Sequence, residues 1–169
     1  MDSDYANRKD ALSINAYIAI LGGAASAWSS KKQRTIALST TEAEYMALTE
    51  GTKQLIWLRR LIQELGIDQT QPTSLRSDNL GAITLSHDAT YHARTKHINV
   101  AYHFIHEKVA SREATLTYIH TKENTADILT KGLDVQQHNY LMGKLGMDSI
   151  NNDLSLRGSV SNMDISVPE

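Results

Sequence analysis

The sequence predicts an α/β fold, a mixed sheet with helices packed on it. Three observations predict it. The first forty residues alternate and turn like strands, the next segment switches to helical spacing, and strand-like and helix-like runs then interleave. The chain has 169 residues, 41% of them hydrophobic, enough for one domain with a real core.

Ile14, Ala16, Ile18 and Ile20 alternate with Asn15, Tyr17, Ala19 and Leu21, a strand pattern. Gly22-Gly23 signals a turn, and a second extended run follows from Ala24 to Ser30. The cluster Lys31, Lys32, Gln33 and Arg34 leads into Thr35-Ile36-Ala37-Leu38, read as a third strand of an antiparallel meander. Ser39, Thr40 and Thr41 then offer N-cap hydroxyls, and Glu42 and Glu44 place acids in a first turn. Leu48, Leu55, Leu58, Leu61, Ile62 and Leu65 follow at helical spacing, with Gly51 as a weak point and Gly66 as the stop.

Pro72 precedes a short strand at Ser74 to Ser77, and a second helix starts at Asp78 or Asn79. His87 to Thr95 reads as a loop, and a third helix runs from about His97 to Ser111. Thr115 to His120 alternates as a strand, and a last helix spans about Asn124 to Leu145, closed by Gly146. The predicted order is β-β-β-α-β-α-α-β-α. Residues 1–146 form the domain, and 147–169, polar and without period, form a tail.

Composition excludes some chemistry. The chain has no cysteine, so disulfides, thiolate zinc sites and cysteine nucleophiles are out. No apolar run reaches the roughly 20 residues of a membrane span, and the first residues lack a signal peptide's apolar stretch. A soluble intracellular chain is expected. The net charge of -2 argues at first against nucleic acid. However, Asp148, Asp153, Asp164 and Glu169 face only Arg157 in the tail, and residues 1–146 hold sixteen basic and fifteen acidic side chains. With four of those acids assigned to a metal site, the remainder of the domain is mildly basic.

Four acids, Asp2, Glu44, Asp78 and Asp127, fall at strand ends or helix N-termini, where α/β folds present functional groups. Gathered carboxylates repel unless a hard cation such as Mg²⁺ relieves them. Helix capping explains each acid separately, so the residues alone leave both readings open.

The runs Ala27-Trp28-Ser29-Ser30-Lys31-Lys32-Gln33 and Ala37-Leu38-Ser39-Thr40-Thr41-Glu42-Ala43-Glu44-Tyr45 carry a resemblance. So do Ser77-Asp78-Asn79, Arg94-Thr95-Lys96-His97-Ile98, His103-Phe104-Ile105 and Ala126-Asp127-Ile128-Leu129-Thr130-Lys131. In order and spacing these blocks resemble the ribonuclease H domain of copia-type retrotransposon Pol polyproteins, over about residues 2 to 146. The resemblance implies a ribonuclease H-like fold, a five-stranded mixed sheet flanked by helices. It also implies hydrolysis of the RNA strand of RNA–DNA hybrids beside a reverse transcriptase domain. The expected location is cytoplasmic virus-like particles or the nucleus, with no membrane partner.

Carried over residue by residue, the metal-binding acids are Asp2, Glu44, Asp78 and Asp127, holding two Mg²⁺ ions for which Mn²⁺ can substitute. Asp2 would bridge them, one ion activating water and the other stabilising the leaving 3′-oxygen. Asp4, two residues on, shares a strand face with Asp2 and is the alternative. His120 stands where related enzymes carry a histidine that aids proton transfer or product release; a plain loop histidine is the other reading. Ser29, Lys31, Asn79, Arg94, Lys96 and His97 are the expected nucleic-acid contacts, with Lys32, Arg34 and Lys108 adding charge. Solvated loop charge is the alternative for the basic groups. Hybrid recognition would rest on shape, 2′-hydroxyls and phosphates. The competing function is a catalytically inactive, N-terminally truncated remnant that keeps the fold, because only Met1 precedes Asp2.

Overall fold

The computed structural model describes residues 1–4, 12–87 and 96–147; at 2–4 and 96–98 it describes the backbone alone. Among the described residues, nine regular elements follow one another: β1 (Asp2–Asp4), β2 (Ile14–Leu21), β3 (Ala24–Lys32), α1 (Thr40–Glu64), β4 (Thr73–Ser77), α2 (Leu80–His87), α3 (Lys96–Ala110), β5 (Ala114–Tyr118) and α4 (Val135–Lys144). Two short 3₁₀ turns, Thr121–Glu123 and Thr125–Leu129, lie between β5 and α4. The arrangement is mixed α/β.

The expected single five-stranded sheet is corrected. The five strands form two sheets, an antiparallel β1-β2-β3 sheet and a parallel β4-β5 pair. The physical reason is the shortness of β1. It pairs with β2 only at Asp2↔Ala16, Ser3↔Asn15 and Asp4↔Ile14. A hydrogen bond from the Met1 amine to the Arg76 carbonyl, 2.8 Å, reaches from the start of β1 to β4.

The expected element order holds, but its first strands differ. Residues 35–38 are not a strand. Gln33 turns the chain instead: its backbone N–H donates to the Ser13 carbonyl (2.8 Å) and its side-chain amide to the Ala43 carbonyl (3.0 Å). The β2–β3 turn forms at Gly22 and Gly23, both with positive φ (60° and 82°). A hairpin turn of that hand matches strand twist and favours glycine at both places.

Helix α1 begins on a reciprocal cap. Ser39 Oγ accepts from the Glu42 N–H (3.1 Å), and Glu42 Oε2 accepts from the Leu38 N–H (2.6 Å). Glu42 is thus spent on capping, as its position suggested. The helix runs unbroken through Gly51, where the Met1 side chain fills the space a Cβ would need.

The expected single last helix is also corrected. Asn124 caps the turn Thr125–Leu129, and the path then leaves the helical region. Asp134 starts α4 afresh, its Oδ1 accepting from the Gln137 N–H at 2.8 Å. Gly132 disfavours helix, and Asp134 supplies a new cap, so two elements form where one was expected.

The main core lies where α1, α2 and α3 meet the β4-β5 pair. It joins Tyr45, Leu48 and Leu55 of α1 to Leu75, Ala82, Tyr102, Ile105 and Leu116. Leu48 and Ile105 are fully buried. Each such side chain contributes about 1.5–3 kcal/mol of burial. The Tyr45 and Tyr102 rings stack at 6.3 Å between centroids, tying α1 to α3.

Candidate functional site

Three of the four acid-bearing segments, the start of β1, the end of β4 and the Asp127 turn, meet at Asn124. Its side-chain Nδ2 donates to the Met1 carbonyl (2.8 Å) and lies 3.5 Å from Asp78 Oδ1. Its Oδ1 accepts from the Ala126 N–H at 3.3 Å, which caps the turn carrying Asp127. One amide therefore links the start of β1, the end of β4 and the Asp127 turn. Asn124 is 2% exposed, so these bonds form away from competing water.

Asp78 directly follows β4, where the buried Ser77 hydroxyl accepts from the Asn79 N–H at 3.2 Å. Asn79 then caps α2, its Oδ1 accepting from the Ala82 N–H at 2.9 Å. Asp127 is buried, and Lys131 Nζ stands 3.1 Å from its Oδ2, one helical turn on. Glu44 is buried near the start of α1, the helix packed beside β1 and β2. Among the described residues, no three His, Asp or Glu side chains form a group able to hold a metal ion. The backbone of Asp2 is opposite Ala16; the side chains of Asp2 and Asp4 lie outside the described residues.

The other sequence-predicted residues lie on several elements. Ser29 pairs with Tyr17 across the hairpin, on the face whose Tyr17 hydroxyl reaches Gln54 of α1; Lys31 follows on that face and is exposed. Ser30, on the other face, donates to the Leu129 carbonyl at 2.9 Å and so pins the Asp127 turn to β3. Trp28 is 64% exposed, not buried in a sheet face. His120 is exposed, and its Nδ1 accepts from the Lys122 N–H at 3.2 Å. Lys96 and His97 open α3, with side chains outside the described residues, where Arg94 and the 148–169 segment also lie.

Sequence reasoning missed Asn124, Lys131 and Ser30 as parts of the site. The signal for Asn124 was its place two residues before Ala126, which suits a cap but says nothing of Met1 or Asp78. For Lys131 the i,i+4 spacing from Asp127 was readable.

Fold and site together define a mixed α/β chain in which Asn124 links the start of β1, Asp78 and the turn bearing Asp127. No family model matches the chain, and no solved structure matches it significantly. Curated proteins do match. The chain is 44% identical over 149 residues, 88% of its length, to the retrovirus-related Pol polyprotein from transposon TNT 1-94 of Nicotiana tabacum. It is 37% identical over 150 residues to that from transposon RE1 of Arabidopsis thaliana, and 37% over 147 residues to that from transposon RE2. These stretches are 88% and 86% of the chain. The chain is thus homologous to a segment of retrovirus-related Pol polyproteins of plant transposons. It spans about a tenth of the length of these relatives: 11%, 10% and 10%.

Proposed function

We propose that this chain hydrolyses the RNA strand of RNA–DNA hybrids as a ribonuclease H-like domain, acting beside a reverse transcriptase domain during retrotransposition. The observation that carries the reading is the convergence on Asn124 of the β1 start, Asp78 and the turn bearing Asp127. The cytoplasmic or nuclear setting of reverse transcription follows from that role.

The donor chemistry suits hard cations: carboxylate oxygens match Mg²⁺ or Mn²⁺. Glu44 and Asp127 are 6% and 4% exposed, where a carboxylate is costly without compensating charge or donors. Asp2, Glu44, Asp78 and Asp127 would hold the two ions. When bound, such ions supply a water of lowered pKa and offset charge at the leaving oxygen. The chain's own side chains do the rest. Asn124 links Asp78 to the start of β1, and Lys131 pairs with Asp127. His120 has Nδ1 engaged by Lys122, which leaves Nε2 to carry a proton toward the departing product. Lys31, Ser29 and Asn79, with Arg94, Lys96 and His97, would contact the hybrid backbone.

The test is cleavage of a labelled hybrid in Mg²⁺ by the chain and by its Asp78→Asn variant. Abolished cleavage in a folded variant supports the assignment; cleavage that survives sinks it. A second reading, a fold without metal competence, is favoured by the Lys131–Asp127 ion pair. Calorimetric titration with Mn²⁺ separates the two: a chain that binds no ion is the inactive one.

A further inference from the structure

Helix α4 is anchored to the hairpin. Leu141 is fully buried, and the Ala25 N–H of β3 donates to the Leu145 carbonyl at 3.1 Å. A neighbouring face of the same helix carries Gln137, Tyr140 and Lys144, three and four residues apart. All three grip the turn Thr121–Glu123. Gln137 Nε2 donates to the Lys122 carbonyl at 2.6 Å. Tyr140 Oη donates to Glu123 Oε1 at 2.6 Å. Lys144 Nζ pairs with Glu123 Oε2 and lies 5.1 Å from the centre of the Tyr140 ring. Among the described residues, the side chains that bond this turn from another element all belong to α4.

The turn in turn holds His120. The Lys122 N–H donates to His120 Nδ1 at 3.2 Å, and the Glu123 N–H donates to the His120 carbonyl at 2.7 Å. Lys122 is therefore bonded on both sides of its backbone, its N–H to His120 and its carbonyl to α4. The ring is exposed, where water competes for Nδ1, so it keeps this partner only while the turn keeps its shape. A neutral imidazole that accepts at Nδ1 carries its proton on Nε2. We propose that Gln137 and Tyr140, with Lys144, are positioning residues for His120: they hold the turn so that the Lys122 N–H fixes the ring with Nε2–H as a hydrogen-bond donor to an anionic oxygen of the cleaved strand. What His120 does rests on the hydrolytic reading; how it is held does not. Each bond is partly solvated and weak by itself. They act together because α4 is tied to β3 and cannot follow the turn.

Gln137→Met with Tyr140→Phe keeps the bulk of both side chains and removes their polar atoms, and the Gln137 N–H stays on its Asp134 cap. The full chain and this double variant are compared by NMR. One readout is amide hydrogen exchange; the other is the His120 Nδ1 resonance, which moves when that nitrogen loses its donor. The expected result is exchange about tenfold faster at Lys122 and Glu123 and a shifted Nδ1, with the core amides of Leu48 and Ile105 unchanged. Gln137→Met alone, carried alongside, should give the same pattern at Lys122 in smaller degree. Unchanged exchange, an unmoved Nδ1, or exchange that quickens equally in the core overturns the proposal. In hybrid cleavage the double variant should lower kcat about fivefold with KM unchanged, and should add nothing to His120→Ala. A loss that persists in the His120→Ala background also overturns it. A parent chain that cleaves no hybrid instead contradicts the hydrolytic reading, and the two NMR readouts still decide how His120 is held.

Discussion

Asn124 donates a 2.8 Å hydrogen bond to the carbonyl of Met1, across 123 residues of sequence. The same nitrogen reaches Asp78, and the same side chain caps the Asp127 turn. Removing it unlinks three segments at once. Asn124→Ala is expected to cost about 1–3 kcal/mol, the range for buried polar groups left unsatisfied. Asn124→Asp keeps the capping oxygen but sets a carboxylate against Asp78, so it should recover little. Urea denaturation of the three proteins checks both statements.

Lys131 is the cation beside the buried Asp127 carboxylate. Lys131→Met removes that charge and is expected to destabilise the chain by about 1–3 kcal/mol in metal-free buffer. If Asp127 is a metal ligand, millimolar Mg²⁺ should restore much of the loss, because an ion bound only by the folded state stabilises it. Melting curves with and without Mg²⁺ decide this.

The turn after α3 carries a pH dependence. Burial pushes the Glu113 carboxyl up, but hydrogen bonds from Lys108 (3.1 Å) and Ser111 (2.9 Å) outweigh it and hold the group below its ordinary value. Hydrogen bonds to Glu107 and then Glu113 hold Lys108 above its ordinary value. A carboxyl lowered by folding stabilises above its unfolded value and loses that contribution as pH falls through the folded one. Glu113→Gln should therefore flatten the decline in stability below about pH 4 while costing under about 1 kcal/mol at pH 7, since the pair is partly solvated. For Lys108 the sign reverses: its contribution is lost only as pH climbs through the raised value, above about 10. Stability measured from pH 2 to 7 in both proteins checks the acid limb.

Arg112 follows α3 with φ at 59°, the left-handed region that burdens a side chain. Glycine relieves the strain and gives back part of the gain as chain entropy. Arg112→Gly is expected to raise stability by about 0.5–1 kcal/mol, read as a higher denaturation midpoint.

Much of this protein was legible without coordinates, for local reasons. Alternation marked β2, Gly22-Gly23 its turn, Ser39 with Glu42 the start of α1, and apolar spacing its length. Each signal acts within a few residues, through strand period, allowed φ or a capping bond. The acids at segment ends were visible for the same reason.

What tertiary structure alone decided is long-range. That five strands divide into two sheets follows from how few residues of β1 meet β2, and that Lys31 lies on the α1 face while Ser30 reaches Leu129 follows from register. That residues 35–38 serve as a connector follows from where Gln33 finds its partners at Ser13 and Ala43. The sequence by itself determined the elements, their order and the candidate acids, because propensity and periodicity are local. Only the tertiary structure decided that Asn124 would link the start of β1, Asp78 and the Asp127 turn, because a buried amide bonds whatever the packing of distant segments brings within reach.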